Sequence, residues 1–219
     1  MQNNIERAKD LLPAIILTIL SMIQALALEL FWGNIEGSAL LWQGGLDAVV
    51  SWLQLLVMLV GMLLIWVFYI SFVLRFTWLP SLEDTLIPFL IGLLEFALID
   101  MMRPDLLYIW FPLLGAVFAV ATAGSHLMMR RARRDAANDY FFSKVAPASW
   151  SDYRGTIIVV IAFCVFGLAL WWSEHDALMS VVALVIALVI LVSRFIMAKQ
   201  YWMHSLTEAA FEPPRDNDQ

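Results

Sequence analysis

The stretch "LLEFALIDMMRPD" (93–105) places two carboxylic acids, Glu95 and Asp100, in a run otherwise suited to hydrocarbon. An acid in that setting can take up and release a proton or a small cation. Glu95 falls about nine residues into an apolar segment that begins near Leu86, roughly 13–14 Å deep at 1.5 Å per residue. Charging a carboxylate there costs on the order of 2.5–3.5 kcal/mol, so such groups face protein or water and often mark ion or proton paths. Pro88, Gly92 and Glu95 share one helical face, and a small or broken face lets another helix or water approach. The plainer reading makes Glu95 a hydrogen-bonded tie between helices. Asp100 differs: it sits near the segment's end beside Arg103 and Asp105. Asp100 and Arg103, at i and i+3, can pair on a helix, and the three residues read as a solvated cluster at the segment's end.

Other polar residues fall at helical spacing within apolar runs. Thr18, Ser21, Ala25 and Glu29 lie within about 80° of one another at 100° per residue, with Gln24 flanking them. Ser51, Gln54, Gly61 and Tyr69 form a second stripe, Gly115, Ala119, Thr122 and His126 a third, and Ser180, Ala183, Ala187 and Arg194 a fourth. Small residues let helix backbones approach in lipid and polar ones bond across, so packing seams explain the stripes. A water-lined path explains them as well, with Glu95 as the titrating group, Gln24 and Gln54 lining it and Glu29 near its mouth. His175, between Glu174 and Asp176 in "SEHDA", is a pH-sensing candidate, because flanking acids raise a histidine's pKa.

No other constellation carries catalytic chemistry. There is no phosphate-binding glycine loop, HExxH pair or GxSxG elbow. No histidine pair in facing segments suits a haem, consecutive Glu174, His175 and Asp176 cannot easily converge on a metal, and no cofactor is expected. The single cysteine, Cys164, gives neither a disulfide nor a thiolate metal motif and reads as apolar filler.

The elements that must position these residues are membrane spans. Hydrophobic residues make up 62% of the 219-residue chain and charged ones 15%, with a mean hydropathy of +0.81, against about 45–50% and 25% in soluble domains. The apolar residues cluster in runs of roughly 16 to 26, near the ~20 needed to cross a bilayer. Six spans are predicted, about 11–32, 49–74, 86–102, 106–129, 156–172 and 177–198, within a helical domain 1–200. A cytoplasmic tail 201–219 follows, disordered at its end. The run "ALA" at 25–27 resembles a signal-cleavage site, but the apolar stretch continues through Phe31 and Trp32, which argues for a retained span.

With both termini inside, every Lys and Arg except Arg103 falls on or beside the cytoplasmic face, as orientation by basic residues requires. Arg130, Arg131, Arg133 and Arg134 are the main topology anchor. Tryptophans support the same frame, with Trp32, Trp52, Trp110, Trp171 and Trp172 at outer ends and Trp78, Trp150 and Trp202 at inner ones. Glu29, Glu36, Asp47, Asp100, Asp105, Glu174 and Asp176 then face outward against Arg103 alone, a surface that attracts cations. Segment 130–155 is expected to extend span four and turn at Pro147, and "SWSDYRG" (150 region) to lead into a capped helix.

The sequence thus predicts an all-α, six-helix protein of a bacterial-type inner membrane, with both termini cytoplasmic. A pI near 4.9 speaks against a nucleic-acid partner. The leading expectation is a small cation or proton channel or transporter built around Glu95. The alternative is a non-transporting scaffold or accessory subunit that docks a partner through helix faces or the 130–155 segment. Either reading is compatible with a homo-oligomer or a partner membrane subunit.

Overall fold

A computed structural model describes residues 2–147, 149–174 and 176–210 of the chain. His175 and the tail end 211–219 lie outside the described residues. Among the described residues of the protein, 87% are helical. Its helices are α1 (Gln2–Gly37), α2 (Gly45–Arg75), α3 (Leu82–Asp100), α4 (Leu107–Ala132), the short α5 (Asp139–Phe142), α6 (Trp150–Trp172) and α7 (Ala177–Ala210). Among the described residues, five of them are long and apolar enough to cross a membrane: all but α3 and α5. The exposed surface of these helices is itself apolar, with Ile15, Leu63, Ile158, Leu168 and Val189 all outward, as suits a lipid solvent rather than water.

Around the bundle the neighbours run α1, α3, α4, α6, α7, α2 and back to α1, and α2 also touches α3. The seams α4–α6 and α2–α7 are extensive, whereas α6 and α7, although consecutive in sequence, touch only slightly. Glycines explain the closest approaches. A Cβ on Gly167 of α6 would lie 2.6 Å from both the Tyr108 carbonyl and Pro112 Cδ of α4, so the residue must be glycine where α4 carries its internal proline. Phe111, Phe118, Phe163 and Phe166 fill the rest of this seam at ring separations of 5.6–6.4 Å. On α7, Ser180, Ala183, Ala187 and Leu191 are buried, and the small ones admit α2.

The small-and-polar stripe of α7 is a packing seam, those of α2 and α4 are buried only in part, with Gly61 open and Ala119 exposed, and that of α1 is not a seam. Thr18, Ser21, Ala25 and Glu29 of α1 are exposed, and Thr18, Ser21 and Ala25 line a shallow groove of about 440 Å³ with Leu17 and Met22. The face of α1 that packs inward is Leu12, Ile16, Leu20, Ile23, Gln24 and Ala27. Cys164 is likewise exposed on α6 rather than filling the core.

One end of the bundle gathers the basic residues and is closed by segment 133–147. The expectation that α4 continues far into this segment is corrected. The helix stops at Ala132, because Asn138 donates to the carbonyls of Ala132 and Thr77 at 2.7 and 2.6 Å and its own amide oxygen accepts from Thr77 N–H at 3.2 Å. One side chain therefore ties the end of α4 to the α2–α3 connection. Arg133 donates to the carbonyls of Val145 and Ala146 and lies 4.6 Å above the Phe142 ring. Helix α6 then begins at the expected cap, a capping box in which Ser149 and Asp152 satisfy one another's backbone N–H groups.

Candidate functional site

Helix α3 holds Glu95, and its sequence explains both how it starts and where it leans. Ser81 and Asp84 form a capping box at its first turn. Pro88 lies inside the helix on its buried face, followed one turn later by Gly92. A Cβ on Gly92 would fall 2.5 Å from Ile23 Cγ2 of α1. The glycine thus lets α1 lie close, and the residue after Ile23 is Gln24. Its amide nitrogen donates to both Glu95 carboxyl oxygens, at 3.1 and 2.9 Å. Glu95 is 1% exposed and Gln24 is buried. Among the described residues no cation lies within ion-pairing distance of Glu95.

Of the four residues expected to line a pathway, the structure joins Glu95 and Gln24 and separates the others. Gln54 is buried but donates to the Met101 carbonyl at 3.5 Å, just beyond the C-terminal end of α3. Glu29 is exposed on the outward face of α1. The His175 candidate falls outside the described residues.

The last carbonyls of a helix lack intrahelical donors, and around the end of α3 three different helices supply them. Asn34 of α1 donates to Ile99 O at 3.2 Å, Trp110 of α4 to Leu98 O at 3.0 Å, and Gln54 of α2 to Met101 O. The sequence does not single out Asn34, and it marks Trp110 only as an interfacial tryptophan. Their signal, a polar or indole donor near a helix end, is too common to select them. Asp100, Arg103 and Asp105 are all exposed, but the Asp100–Arg103 pair that their spacing allows does not form. The helix stops at Asp100, and Arg103 is extended ahead of Pro104, which disfavours helical geometry in the preceding residue. Arg103 instead makes a two-point bond to Asp105, at 3.1 and 2.9 Å.

At the other end of α3, Asp84 is 1% exposed and carries a dense set of polar contacts. Arg131 of α4 donates to its Oδ1 at 2.7 Å and to Glu83 Oε2 at 2.8 Å. Its Oδ2 accepts from Trp78 Nε1 at 3.1 Å, from Ser81 N–H at 2.8 Å and from Ser81 Oγ at 3.1 Å. Glu83 is exposed, and its carboxyl is held below its ordinary value, first by a bond from its own backbone N–H, then by the Ser81 hydroxyl and Arg131. Of the four arginines expected to anchor topology, Arg131 and Arg133 therefore have structural partners as well, while Arg130 and Arg134 are exposed.

Gln24 and Gln54 thus both reach α3, at Glu95 and just past its end, whereas Glu29 does not; α3 is also held near its start by Arg131 and around its end by Asn34 and Trp110. Among the described residues, no buried side-chain nitrogen or oxygen is left without a hydrogen-bond partner. Outside α3, Thr122 of α4 bonds to Thr156 of α6 at 3.4 Å, and His126 Nδ1 pairs with the Tyr153 hydroxyl. Compared with family models, curated proteins and solved structures, the chain has no significant match.

Proposed function

We propose that the protein is a non-transporting scaffold or accessory subunit of a bacterial-type inner membrane, crossing it six times with both termini cytoplasmic. The observation that carries this reading is the mutual satisfaction of Glu95 and Gln24 within a tight α1–α3 seam. A polar group that bonds across helices in lipid acts as an adhesive between them. Helix α3 counts as the sixth crossing: its 19 residues rise about 28 Å, it runs between the same two ends as its neighbours, and its polar clamps offset its weaker apolar character. The basic end faces the cytoplasm by the distribution of Lys and Arg. The outward small-residue face of α1 and the exposed parts of segment 130–155 are the surfaces through which a partner subunit or a second copy docks.

Reconstitution tests the reading. Proteoliposomes containing the wild-type protein should dissipate an imposed proton, sodium or potassium gradient no faster than empty vesicles. A photo-crosslinker at Ser21, on the outward face of α1, should capture a membrane partner or a second copy, whereas one at buried Leu20 should not.

A second reading, a cation or proton pathway through Glu95, is favoured by one observation: the carboxyl faces a neutral amide, with no described cation beside it. Its counter-charge would be a proton or a small cation. Gradient dissipation by wild type that is abolished in Glu95→Gln would establish this reading and overturn the first.

A further inference from the structure

Among the described residues, five basic ones at the basic end are half-buried: Lys9, Arg75, Arg131, Arg133 and Arg194. Four of them have protein counterparts. Lys9 pairs with Asp135 at 2.5 Å, Arg75 lies 4.2 Å above the Phe141 ring, Arg131 holds Asp84 and Glu83, and Arg133 donates to loop carbonyls. Arg194 has no hydrogen bond or ion pair among the described residues. Its side chain is nonetheless placed. The guanidinium of this α7 residue rests on α6 at Gly155, with Nη2 2.8 Å and Cζ 3.6 Å from where a Cβ on Gly155 would stand. Any larger residue at 155 would push it away.

The setting is that of a headgroup. Arg194 and Gly155 lie at matching heights near the basic end of antiparallel helices, in the slight α6–α7 seam. On α6, Arg154, the residue before Gly155, is exposed and heads the outward row Ile158, Ile161, Val165 and Leu168. The acid one turn from Gly155, Asp152, accepts from Ser149 N–H at 2.7 Å in the α6 capping box and makes no ion pair among the described residues. We propose that Arg194, cradled by Gly155 and assisted by Arg154, binds the phosphate of an anionic phospholipid in the α6–α7 groove. A guanidinium offers parallel N–H donors that match phosphate oxygens, and basic pockets between membrane helices hold anionic headgroups in this way.

Native mass spectrometry of the full chain, released from detergent containing equal phosphatidylglycerol and phosphatidylcholine, tests the site. Wild type should retain phosphatidylglycerol preferentially. Arg194→Gln and Gly155→Leu should each weaken that retention roughly fivefold, Arg194→Lys should keep part of it, and Arg134→Gln, an exposed arginine elsewhere at the same end, should leave it unchanged. Equal retention of the two lipids by wild type, or unaltered retention in Arg194→Gln, would overturn the proposal. So would displacement of the bound lipid by millimolar inorganic phosphate, which would assign the site to a soluble phosphate. The wild-type comparison stands even if a variant fails to fold.

Discussion

At the residue scale, the molecule turns on acids that need company. Gln24→Leu leaves Glu95 buried without its donor, and loss of one partner of a buried pair costs about 1–3 kcal/mol. The double variant Gln24→Leu/Glu95→Leu should be less destabilised than Gln24→Leu alone, because neither polar group is then orphaned. Thermal unfolding of the three proteins in detergent checks the ordering. Asp84→Ala leaves Arg131 with Glu83 alone and removes the acceptor for Trp78, and should cost about 1–3 kcal/mol in the same assay. Glu83 sets a pH dependence. Its folded pKa lies below the ordinary 4.5, so its contribution is complete above that value and is lost as pH falls through the lowered one. Melting curves between neutral and acid pH should show a loss below about pH 4.5 that Glu83→Gln reduces. That Glu95 would need company was legible in sequence from its place in an apolar run, and it is buried. That Gln24, rather than Gln54, would meet it was not, because the choice depends on which helix lies against Gly92.

At the scale of elements, the shortest long helix is the one most heavily bonded. Five helices are held mainly by apolar and small-residue packing, whereas α3 receives side-chain donors from α1, α2 and α4. Glycine substitutions separate close packing from open surface. Gly167→Ala forces a Cβ against the Tyr108 carbonyl and Pro112, and should destabilise the α4–α6 seam by about 1–3 kcal/mol. A Cβ on Gly61 meets nothing within 4 Å, so Gly61→Ala should be neutral or stabilising by up to ~1 kcal/mol through helix propensity. Helix locations were readable because apolar runs of membrane length are a strong signal. Their ends were harder to read: α4 stops at Ala132 through contacts of Asn138, six residues away and pointing at the α2–α3 connection. The α1 stripe shows the same limit, since angular spacing groups residues on a face without saying whether that face meets protein or lipid.

At the scale of the whole molecule, the two ends differ in kind. Lys9, Arg75, Arg131 and Arg133 knit the basic end into a compact cap, while the seven acids expected at the other end are all exposed. If the cap is cytoplasmic, a membrane-impermeant maleimide should label Gln43→Cys in intact cells and Arg134→Cys only after permeabilisation, both in a Cys164→Ala background. Reversed labelling would invert the orientation. The cap also changes how a cytoplasmic docking surface must be probed. Deleting segment 130–155 removes Arg131, Arg133 and Asn138 and so disrupts the fold itself, whereas charge reversal at exposed Arg130 and Arg134 tests docking without that loss.

Sequence alone determined the membrane class, the helix positions and the asymmetry of charge, because each follows from how many apolar or basic residues stand in a row, and lipid imposes that requirement locally. Tertiary structure decided which polar residues meet. Glu95 with Gln24, Asp84 with Arg131, and Arg194 on Gly155 join residues separated by tens of positions, and their pairing depends on the neighbour order of the helices. That order comes from close approaches at particular glycines and from donors reaching open helix ends, which are properties of pairs of surfaces rather than of any single run of residues.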